Sequence, residues 1–307
     1  MDIRPWKPGD ETAIRALFGE VFGSPMSEAF WNWRYRDHPA GPPMIMLAWD
    51  GDRLAAHYAA SYAPLLIEGE PRLSALSMTT MTHADYRGQR LFEKTASALY
   101  EDISARGIAS VWGFPSRSSN IPFRGKLGWA GIADIPLLSR ALTPEEDFST
   151  EGVTEVERLG PDFSAAPRMP AQISADRRSD YLAWRIDQNP VYRYIRLALT
   201  EAGDCAGYAV LKHWKDGEFD LVLLEAADAG SCGRLVQACL ATVQARGGQR
   251  LNCWSLAHRS ERIVLERAGF LPLGMVTNFG GRSFTPGHHS FAQMRSWKLD
   301  MIDSDLY

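Results

Sequence analysis

A basic glycine turn between a strand pattern and a helix pattern is the part of the sequence best suited to chemistry. Residues 78–82 alternate like a strand, and from Leu91 onward apolar residues recur at helical spacing. The polar turn between them contains Arg87, Gly88, Gln89 and Arg90. The first N–H groups of a helix have no partner inside the helix, and the helix dipole adds positive potential there. The turn therefore predicts a binding site for an anion such as a phosphate.

Together with its surroundings, this turn resembles the GNAT superfamily of acyl-CoA-dependent N-acyltransferases. In that family the turn after the fourth strand reads Arg/Gln-x-x-Gly-x-Gly/Ala and binds the pyrophosphate of coenzyme A. Arg87 matches the first position of this pattern, whereas Arg90 and Phe92 stand where the family has small residues. The resemblance covers about fifty residues at the level of motifs and most of the chain at the level of fold.

A second block of the same family pattern follows further along the chain. The family has an Asn and then a helix that ends in Lys-Leu-Gly-Phe, and this sequence has Asn120 followed by Lys126-Leu127-Gly128-Trp129. Arg124 replaces a tyrosine that often acts as general acid in the family. An arginine does not donate a proton at neutral pH, so Arg124 would bind an acidic group of the acceptor or lie on the surface.

The resemblance implies acetyl-CoA or another acyl-CoA as co-substrate and no metal ion. The residues that it implies for binding this co-substrate are Met81, Thr82, Arg87, Gly88, Gln89, Arg90, Leu91 and Asn120. Backbone N–H groups near Met81 and Thr82 would place the thioester if the family geometry is retained. Asn120 would contact the pantetheine arm, or it would simply cap the last helix.

The catalytic candidates are His83 and Arg124. His83 lies just before the turn, and an imidazole titrates in the range that proton transfer needs. A structural role for His83 in the turn is the competing interpretation. His57 lies on a central strand pattern and is interpreted as a core group or a cleft group. A base that acts through water would leave no trace in the sequence.

Composition excludes several classes of function. The chain has 307 residues, a hydrophobic content of 45% and a net charge of −4, which is ordinary for a globular protein and gives no reason to expect nucleic acid as a partner. No apolar run approaches the length of a membrane span, and the N-terminus lacks a signal pattern, so we expect a cytoplasmic protein without a membrane partner. The four cysteines form no CxxC pair and are expected to be reduced thiols.

The order of predicted elements favours an α/β (α+β) fold. A short strand and two helices come first, with Ser27 as the predicted cap of the second helix. An antiparallel meander follows, signalled by the turn Asp50-Gly51, and delivers the chain to the basic turn. The helix from Leu91, a strand over 108–114 and a closing strand over 131–139 complete the pattern, and this order is that of the GNAT family.

The pattern then repeats in the second half of the chain. The motif around Trp184-Arg185 echoes the one around Trp33-Arg34, each followed by an x-Pro pair at the same spacing. We therefore predict two tandem GNAT-like domains, each a mixed, mostly antiparallel sheet flanked by helices. The predicted division is residues 1–146 for the acyl-CoA-binding domain, 147–175 for a linker and 176–307 for a degenerate copy. The second turn, residues 226–234, has no Arg-Gly cluster ahead of its helix, so it is not expected to bind phosphate.

These features predict an N-acyltransferase that moves an acyl group, in the simplest case acetyl, from acyl-CoA to a primary amine of a small molecule. The tail from Met294 to Tyr307 resembles the ending of tandem GNAT-like proteins from polysaccharide biosynthesis, which makes an amino sugar the candidate acceptor. The alternatives are a GNAT-fold protein without catalysis, which binds or senses CoA, and an aminoacyl or peptidyl transferase of the tandem-GNAT type. A homodimer stays open as an oligomeric state.

Overall fold

The computed structural model of the protein describes residues 1–159, 169–285, 287 and 289–305. Part of the predicted linker, residues 160–168, lies outside the described residues. The chain forms two compact units, and each is made of two segments. The first unit is Met1–Ala133 with Asn278–Met294, and the second is Asp134–Thr277 with Arg295–Tyr307.

The first unit is built on strands that follow the predicted meander. These strands are β1 (Asp2–Pro5), β2 (Met44–Asp50), β3 (Arg53–Tyr62), β4 (Leu65–Ile67), β5 (Glu70–Arg72), β6 (Ala75–Thr82) and β7 (Ser110–Gly113). Strands β1, β2, β3 and β6 are antiparallel neighbours in that order, β4 and β5 form a hairpin, and β7 pairs with β6 in parallel. On the other side of β7, Gly280–Ser283 pair in antiparallel fashion. This arrangement confirms the predicted mixed, mostly antiparallel sheet.

Helices cover both faces of this sheet. They are α1 (Glu11–Phe22), α2 (Glu28–Trp31), α3 (Leu91–Ala105) and α4 (Arg117–Leu127). One face buries a cluster that includes Tyr58, Leu99 and Phe123, and the other buries a cluster that includes Trp31 and Met81. Side chains alternate between the faces of a strand, so each strand contributes to both layers.

The start of α2 confirms a local prediction, and its end departs from ordinary helical geometry. The Ser27 hydroxyl accepts a hydrogen bond from the N–H of Phe30 at 3.1 Å, as expected for an N-cap. The helix then widens into a π-helical segment, π1 (Asn32–Arg36), in which the N–H of Asp37 bonds to the carbonyl of Asn32. Such segments are rare and often occur at functional sites.

The second unit has strands in a similar order. The strands of the rest of the chain are β8 (Ala130–Ala141), β9 (Val153–Val156), β10 (Ile173–Ala175), β11 (Tyr194–Glu201), β12 (Asp204–Lys215), β13 (Glu218–Ala226), β14 (Arg250–Trp254) and β15 (Leu271–Ser283). Strands β9, β11, β12 and β13 are antiparallel neighbours, β13 pairs with β14 in parallel, and β14 pairs with Leu137–Ala141 of β8.

Helices of the second unit repeat the order seen in the first. They are α5 (Ser179–Leu182), the π-helical segment π2 (Ala183–Asp187), α6 (Ala229–Ala245) and α7 (Ser260–Arg267). The segment π2 has the same i to i+5 bond as π1, here from Gln188 to Ala183. Cys232, Cys239 and Cys253 are buried, Cys205 is half-buried, and the structure shows no disulfide among these four described cysteines.

The compact units divide the chain differently from its linear order. From Asp134 onward β8 belongs to the second unit, and Asn278–Met294 return to the first. The strand predicted to close the first half therefore pairs in the second unit, with β14. The division into 1–146, 147–175 and 176–307 stays a prediction about domains. Among the described residues, no helix is both long and apolar enough to cross a membrane.

Candidate functional site

The basic turn joins β6 to the N-terminus of α3, as the sequence predicts. After Thr82 the chain makes a short 3₁₀ turn over Ala84–Tyr86, and α3 begins at Leu91. Gly88 has φ of +81°, a left-handed conformation that glycine adopts without steric cost. The residues of the turn from Arg87 to Arg90 are exposed, so the first N–H groups of α3 face a surface that a ligand can reach.

Arg90 is the N-cap residue of α3, and its backbone adopts a conformation that favours glycine. Its φ is +59°, and its side chain does not cap the helix. The guanidinium lies outside and pairs with Oε2 of Glu93 at 2.7 Å. This hydrogen bond is the main cause of the lowered pKa of the Glu93 carboxyl. Arg90 thus keeps the backbone shape of the family's glycine position while its side chain is held by the next turn of the helix.

Phe92 does not close the turn. Its ring packs inward, 5.1 Å from the ring of Phe123 and 6.1 Å from that of Tyr58. Leu91, the other apolar residue at the helix start, is also buried. The large side chains near the N-terminus of α3 therefore stabilise the layer below it, and the N–H groups of the first turn stay uncovered by them.

His83 holds the entrance of the turn through both of its ring nitrogens. The backbone N–H of Asp85 donates to Nδ1 at 3.1 Å. Nε2 lies 2.8 Å from Nη2 of Arg53 and 3.0 Å from Oε2 of Glu20. Each nitrogen is engaged by protein groups, an arrangement that favours the structural interpretation of His83 over the catalytic one.

Strands β6 and β7 separate where the site begins. They pair in parallel only at Ala75–Val111 and Leu76–Trp112, and β6 then continues beside β3 alone. Beyond this point Met81 is buried, and Thr82 is half-buried. The separation leaves the far end of β6, the strand that leads into the basic turn, without a parallel neighbour.

A β-bulge interrupts β6 in this separated part. His57 of β3 pairs with Met81, and Ala59 pairs with Met78, so Thr79 and Thr80 together stand opposite a single residue. Thr79 has φ of +49°. A left-handed β-branched residue is uncommon and indicates that its surroundings enforce the conformation.

Tyr35 and His57 hold this bulge. The Tyr35 hydroxyl donates to Oγ1 of Thr79 at 2.7 Å, and Nδ1 of His57 lies 2.7 Å from the carbonyl oxygen of Thr79. Burial lowers the pKa of His57 to about 4, so the ring is neutral at pH 7. Sequence reasoning left His57 between core and cleft and missed Tyr35, because 44 residues separate Tyr35 from Thr79.

Asn120 lies inside α4 and does not cap it. Ser116 is the N-cap residue and accepts a hydrogen bond from the N–H of Ser119 at 3.3 Å. The Asn120 amide donates to Oδ1 of Asn278 at 3.2 Å, and the Asn278 amide donates to the carbonyl of Pro115 at 3.3 Å. The capping alternative for Asn120 is therefore wrong.

Arg124 is exposed in the last turn of α4. Its guanidinium lies over Gly131, where an added Cβ would come within 3.1 Å of the Arg124 Cζ. A side chain at that position would displace the arginine, so Gly131 leaves room for it. The structure gives Arg124 a surface position, and its catalytic role stays a prediction.

The second unit closes the equivalent helix start with a carboxylate. Asp228 is the N-cap residue of α6, and its Oδ1 accepts a hydrogen bond from the N–H of Ser231 at 2.9 Å. This bond is the main cause of the lowered pKa of Asp228. A negative charge already occupies the position that a phosphate would need. Among the described residues, no group of three or more His, Cys, Asp or Glu side chains could hold a metal ion.

Comparison with protein families finds a match in the first part of the chain. Residues 2–132 match the sequence model of the acetyltransferase (GNAT) domain. The match confirms the predicted class of enzyme, a GNAT-type N-acyltransferase, at the level of the domain. No curated protein matches the chain.

Solved structures resemble the chain over most of its length, at low sequence identity. A probable N-acyltransferase of unknown function from Enterococcus faecalis has a TM-score of 0.69 at 11% identity, with 92% of this chain and 72% of that one covered. A GCN5-related N-acetyltransferase from Anabaena variabilis has a TM-score of 0.70 at 10% identity, with 92% and 73% covered. Saccharomyces cerevisiae N-myristoyltransferase with bound myristoyl-CoA has a TM-score of 0.60 at 10% identity, with 92% and 78% covered. These likenesses confirm the predicted fold.

Proposed function

We propose that the protein transfers an acyl group, acetyl in the simplest case, from acyl-CoA to a primary amine of a small molecule. One observation carries the proposal. In the GNAT acetyltransferase domain, β6 leaves its parallel partner, passes through a bulge and leads into an exposed turn at a helix N-terminus without a side-chain cap. A separated strand followed by free N–H groups provides room for an acyl-pantetheine arm and a site for its pyrophosphate.

The turn would bind the pyrophosphate of the co-substrate. The N–H groups at the start of α3 point out of the helix, and Gly88 lets the backbone approach the phosphate closely. Arg87 supplies an exposed positive charge beside them. The Arg90 side chain is paired with Glu93, so we assign its contribution to the backbone N–H rather than to the guanidinium.

The far end of β6 would place the thioester. Backbone N–H groups near Met81 and Thr82 would donate to the carbonyl oxygen, on which negative charge develops as the amine attacks. Donors that are fixed before the reaction need no reorganisation, which is why a rigid strand suits this role. Asn120 would contact the pantetheine arm only if its bond to Asn278 opened.

The acceptor and the base are the open parts of the proposal. An amino sugar remains the candidate acceptor, on the resemblance of the C-terminal tail stated above. His83 and Arg124 remain predicted catalytic residues. Because both nitrogens of His83 already have neighbours within hydrogen-bond distance, we favour a base that acts through a water molecule.

A second candidate function is binding of acyl-CoA without transfer. The position of Arg124, where the family often has a tyrosine, and the engaged ring of His83 favour it. The two functions share the turn and differ in turnover. Release of free CoA from acetyl-CoA in the presence of primary amines separates them, and an amino acid or peptide among the amines tests the aminoacyl or peptidyl alternative.

Substitution of Arg87 by Glu tests the proposed site directly. We expect the affinity for acetyl-CoA and for free CoA, measured by calorimetric titration, to fall by about a hundredfold or more, because a carboxylate would repel the pyrophosphate. Arg87→Lys keeps the charge and should lose less than about tenfold.

Arg234→Glu is the matched control, since it reverses a charge in the first turns of α6 in the second unit. It should leave CoA binding unchanged. Unchanged affinity in Arg87→Glu would refute the assignment of the turn. Absence of binding by the unaltered protein to either acetyl-CoA or CoA would refute the proposed function itself.

A further inference from the structure

The bulge of β6 has a conformation that costs free energy. Thr79 has φ of +49°, a region that is sterically unfavourable for a β-branched residue. Glycine or asparagine would adopt the same conformation more easily. The chain nevertheless has threonine here, and the threonine side chain is used, because its Oγ1 accepts the hydrogen bond from Tyr35.

A histidine at position 57 also has a free-energy cost that an apolar side chain would not have. The Thr79 carbonyl can only accept, so Nδ1 of His57 carries the ring proton and donates it at 2.7 Å. Nε2 of the same ring is buried and has no hydrogen-bond partner among the described residues. A buried acceptor without a partner loses its hydrogen bond to water and gains none in return, which destabilises the folded state. A leucine would fill this place without that cost, so the Nδ1–H donor itself is the feature that distinguishes histidine here.

Two separate parts of the first unit converge on Thr79. Tyr35 comes from π1, and His57 comes from the neighbouring strand β3. Their rings meet edge to face with centroids 6.5 Å apart, and both residues are buried. Rare π-helical geometry thus places a hydroxyl donor on one side of the bulge while an imidazole donor fixes the other.

The second unit has the same irregularities without these polar groups. Its strand pair β12–β13 also shifts register, with Val222 as the extra residue between Leu221 and Leu223. Its segment π2 has Ile186 directly after the Trp-Arg pair, where π1 has Tyr35. A bulge therefore forms on an apolar residue as well. The clamp on Thr79, made by the hydrogen bonds of Tyr35 and His57, distinguishes the unit that has the open turn.

We infer that Tyr35 and His57 are positioning residues for acyl transfer, which hold Thr79 so that the backbone N–H groups at the far end of β6 face the thioester carbonyl. This inference rests on the proposed function. The two side chains touch the bulge and not the reacting atoms. They act on the rate of the chemical step through the placement of the backbone donors.

Kinetic variants of the full chain test the inference. CoA release from acetyl-CoA is measured with a panel of primary amines that includes glucosamine, and the best amine is used for all variants. Tyr35→Phe removes only the hydroxyl, and we expect kcat to fall by about tenfold or more, with KM for acetyl-CoA within about threefold of the unaltered protein. Calorimetric affinity for free CoA should not change, because CoA binds at the turn.

His57 allows a rescue experiment. His57→Leu removes the donor and should lower kcat as Tyr35→Phe does. His57→Asn places an amide N–H near the position of Nδ1 and should recover most of the lost rate. If His57 only filled space, His57→Leu would keep more activity than His57→Asn, because leucine is closer than asparagine to the imidazole in volume.

Tyr58→Phe is the matched control. Tyr58 lies beside His57 on β3, on the opposite face, and its buried hydroxyl bonds to Ser77 and Tyr100 at 2.7 Å. Its loss should lower the thermal midpoint and leave kcat within about twofold. Thr79→Val, which removes the acceptor of the Tyr35 bond, should reproduce the kinetic effect of Tyr35→Phe.

The outcomes separate the inference from the function on which it rests. An active unaltered protein with kcat maintained in Tyr35→Phe and Thr79→Val would overturn the inference and leave the proposed function intact. Equal losses of kcat and thermal midpoint in Tyr35→Phe and Tyr58→Phe would assign Tyr35 a structural role and would also overturn it. An unaltered protein that neither binds CoA nor releases it would overturn the proposed function, and the inference with it.

Discussion

The two helices that follow the bulged strands begin with opposite electrostatics. In the first unit, Arg90 is the N-cap residue of α3, and its side chain leaves the N-terminal N–H groups open. In the second unit, α6 starts at Asp228, whose carboxylate bonds to the N–H of Ser231. An acidic cap satisfies a helix by itself, whereas an uncapped N-terminus leaves donors for a ligand. A single residue at the start of each helix thus separates a candidate anion site from a closed helix end.

The bulges of the two units also differ, in the polar contacts that hold them. Both units have a register shift in the strand ahead of the helix, so the irregular backbone does not by itself mark a site. In the first unit the bulge contains Thr79, which is held by Tyr35 and His57, and in the second the extra residue is Val222. Among the described residues, the polar contacts to Thr79 belong to the unit that also has the open turn. The two features together, and neither alone, distinguish the unit that we propose to be active.

The largest expected effect comes from moving the acidic cap of the second unit into the first. Arg90→Asp places a carboxylate at the N-terminus of α3, and CoA affinity should fall by about a hundredfold because the carboxylate repels the phosphates. Aspartate tolerates the left-handed conformation of this position, so folding should be maintained. Calorimetric titration measures the change.

Asp228→Asn is the paired control for this substitution. Asparagine still caps α6 but removes the charge, and CoA affinity at the first unit should stay within about twofold. If Asp228→Asn lowered CoA affinity as much as Arg90→Asp, the assignment of the ligand to the first unit would be wrong.

Acidification should change the stability contributed by His57, in the first unit, and by Asp220, in the second, with opposite signs. Burial lowers the pKa of His57 to about 4, below the ordinary 6.5, so the unfolded chain binds a proton first and stability falls as the pH drops. Burial raises the pKa of Asp220 to about 6, above the ordinary 3.8, so the folded state binds a proton first and stability rises as the pH drops. Between pH 7 and pH 5 the lowered pKa of His57 by itself amounts to about 2 kcal/mol of stability lost, and the raised pKa of Asp220 by itself to about 1 kcal/mol gained.

Amide hydrogen exchange, corrected for the intrinsic effect of pH, measures these changes separately. Opening free energies should fall for amides of β3 and rise for amides of β13. His57→Gln should remove about half of the change in β3 and none of that in β13, because burial also lowers the pKa of His38, which packs against Tyr62 of β3, to about 3. Shifts of the same sign in both strands would show that other groups govern the pH dependence.

The smallest expected effect comes from relieving the left-handed backbone strain at Arg90. Arg90→Gly removes a left-handed non-glycine residue, which stabilises by about 1 kcal/mol, and loses an exposed ion pair with Glu93 that solvent screens. The free energy of unfolding should rise by less than about 1 kcal/mol, with slightly tighter CoA binding.

Ala202→Gly provides the comparison in the second unit, since Ala202 also has a left-handed φ, of +50°. It should raise stability by a similar amount and leave CoA binding alone. Thermal unfolding and calorimetry measure both variants. A loss of CoA affinity in Arg90→Gly would mean that the guanidinium itself binds phosphate, contrary to our assignment.

Local patterns predicted the elements around the site well. The helix predicted from Leu91 begins at that residue and ends at Ala105, because its apolar spacing and the glycine after it are local signals. Ser27 caps its helix as expected. The Asp-x-x-Ser pattern at Asp228 is an equally local N-cap signal that could have been read from the sequence, and it explains directly why the second turn is closed.

Tertiary contacts decided the features that local patterns do not contain. The clamp on Thr79 unites residues 44 and 22 positions away along the chain, and neither tyrosine nor histidine on an amphipathic segment signals such a contact. The strand predicted over residues 131–139 was expected to close the first half, yet the observed strand β8 (Ala130–Ala141) pairs with β14 of the second unit. Alternation of side chains predicts that a strand exists, whereas its partner depends on which edge is free in the folded chain.

The sequence by itself determined the elements, the basic turn and the class of the domain, because helical spacing, capping residues and glycine positions act over a few residues. Only the tertiary structure decided that Phe92 points inward, that His83 is engaged at both nitrogens, and that Tyr35 and His57 meet at the bulge. The physical reason is that these contacts are hydrogen bonds and ring contacts between segments far apart in the chain. Their geometry is fixed by the packing of the sheet against its helices and not by the order of residues.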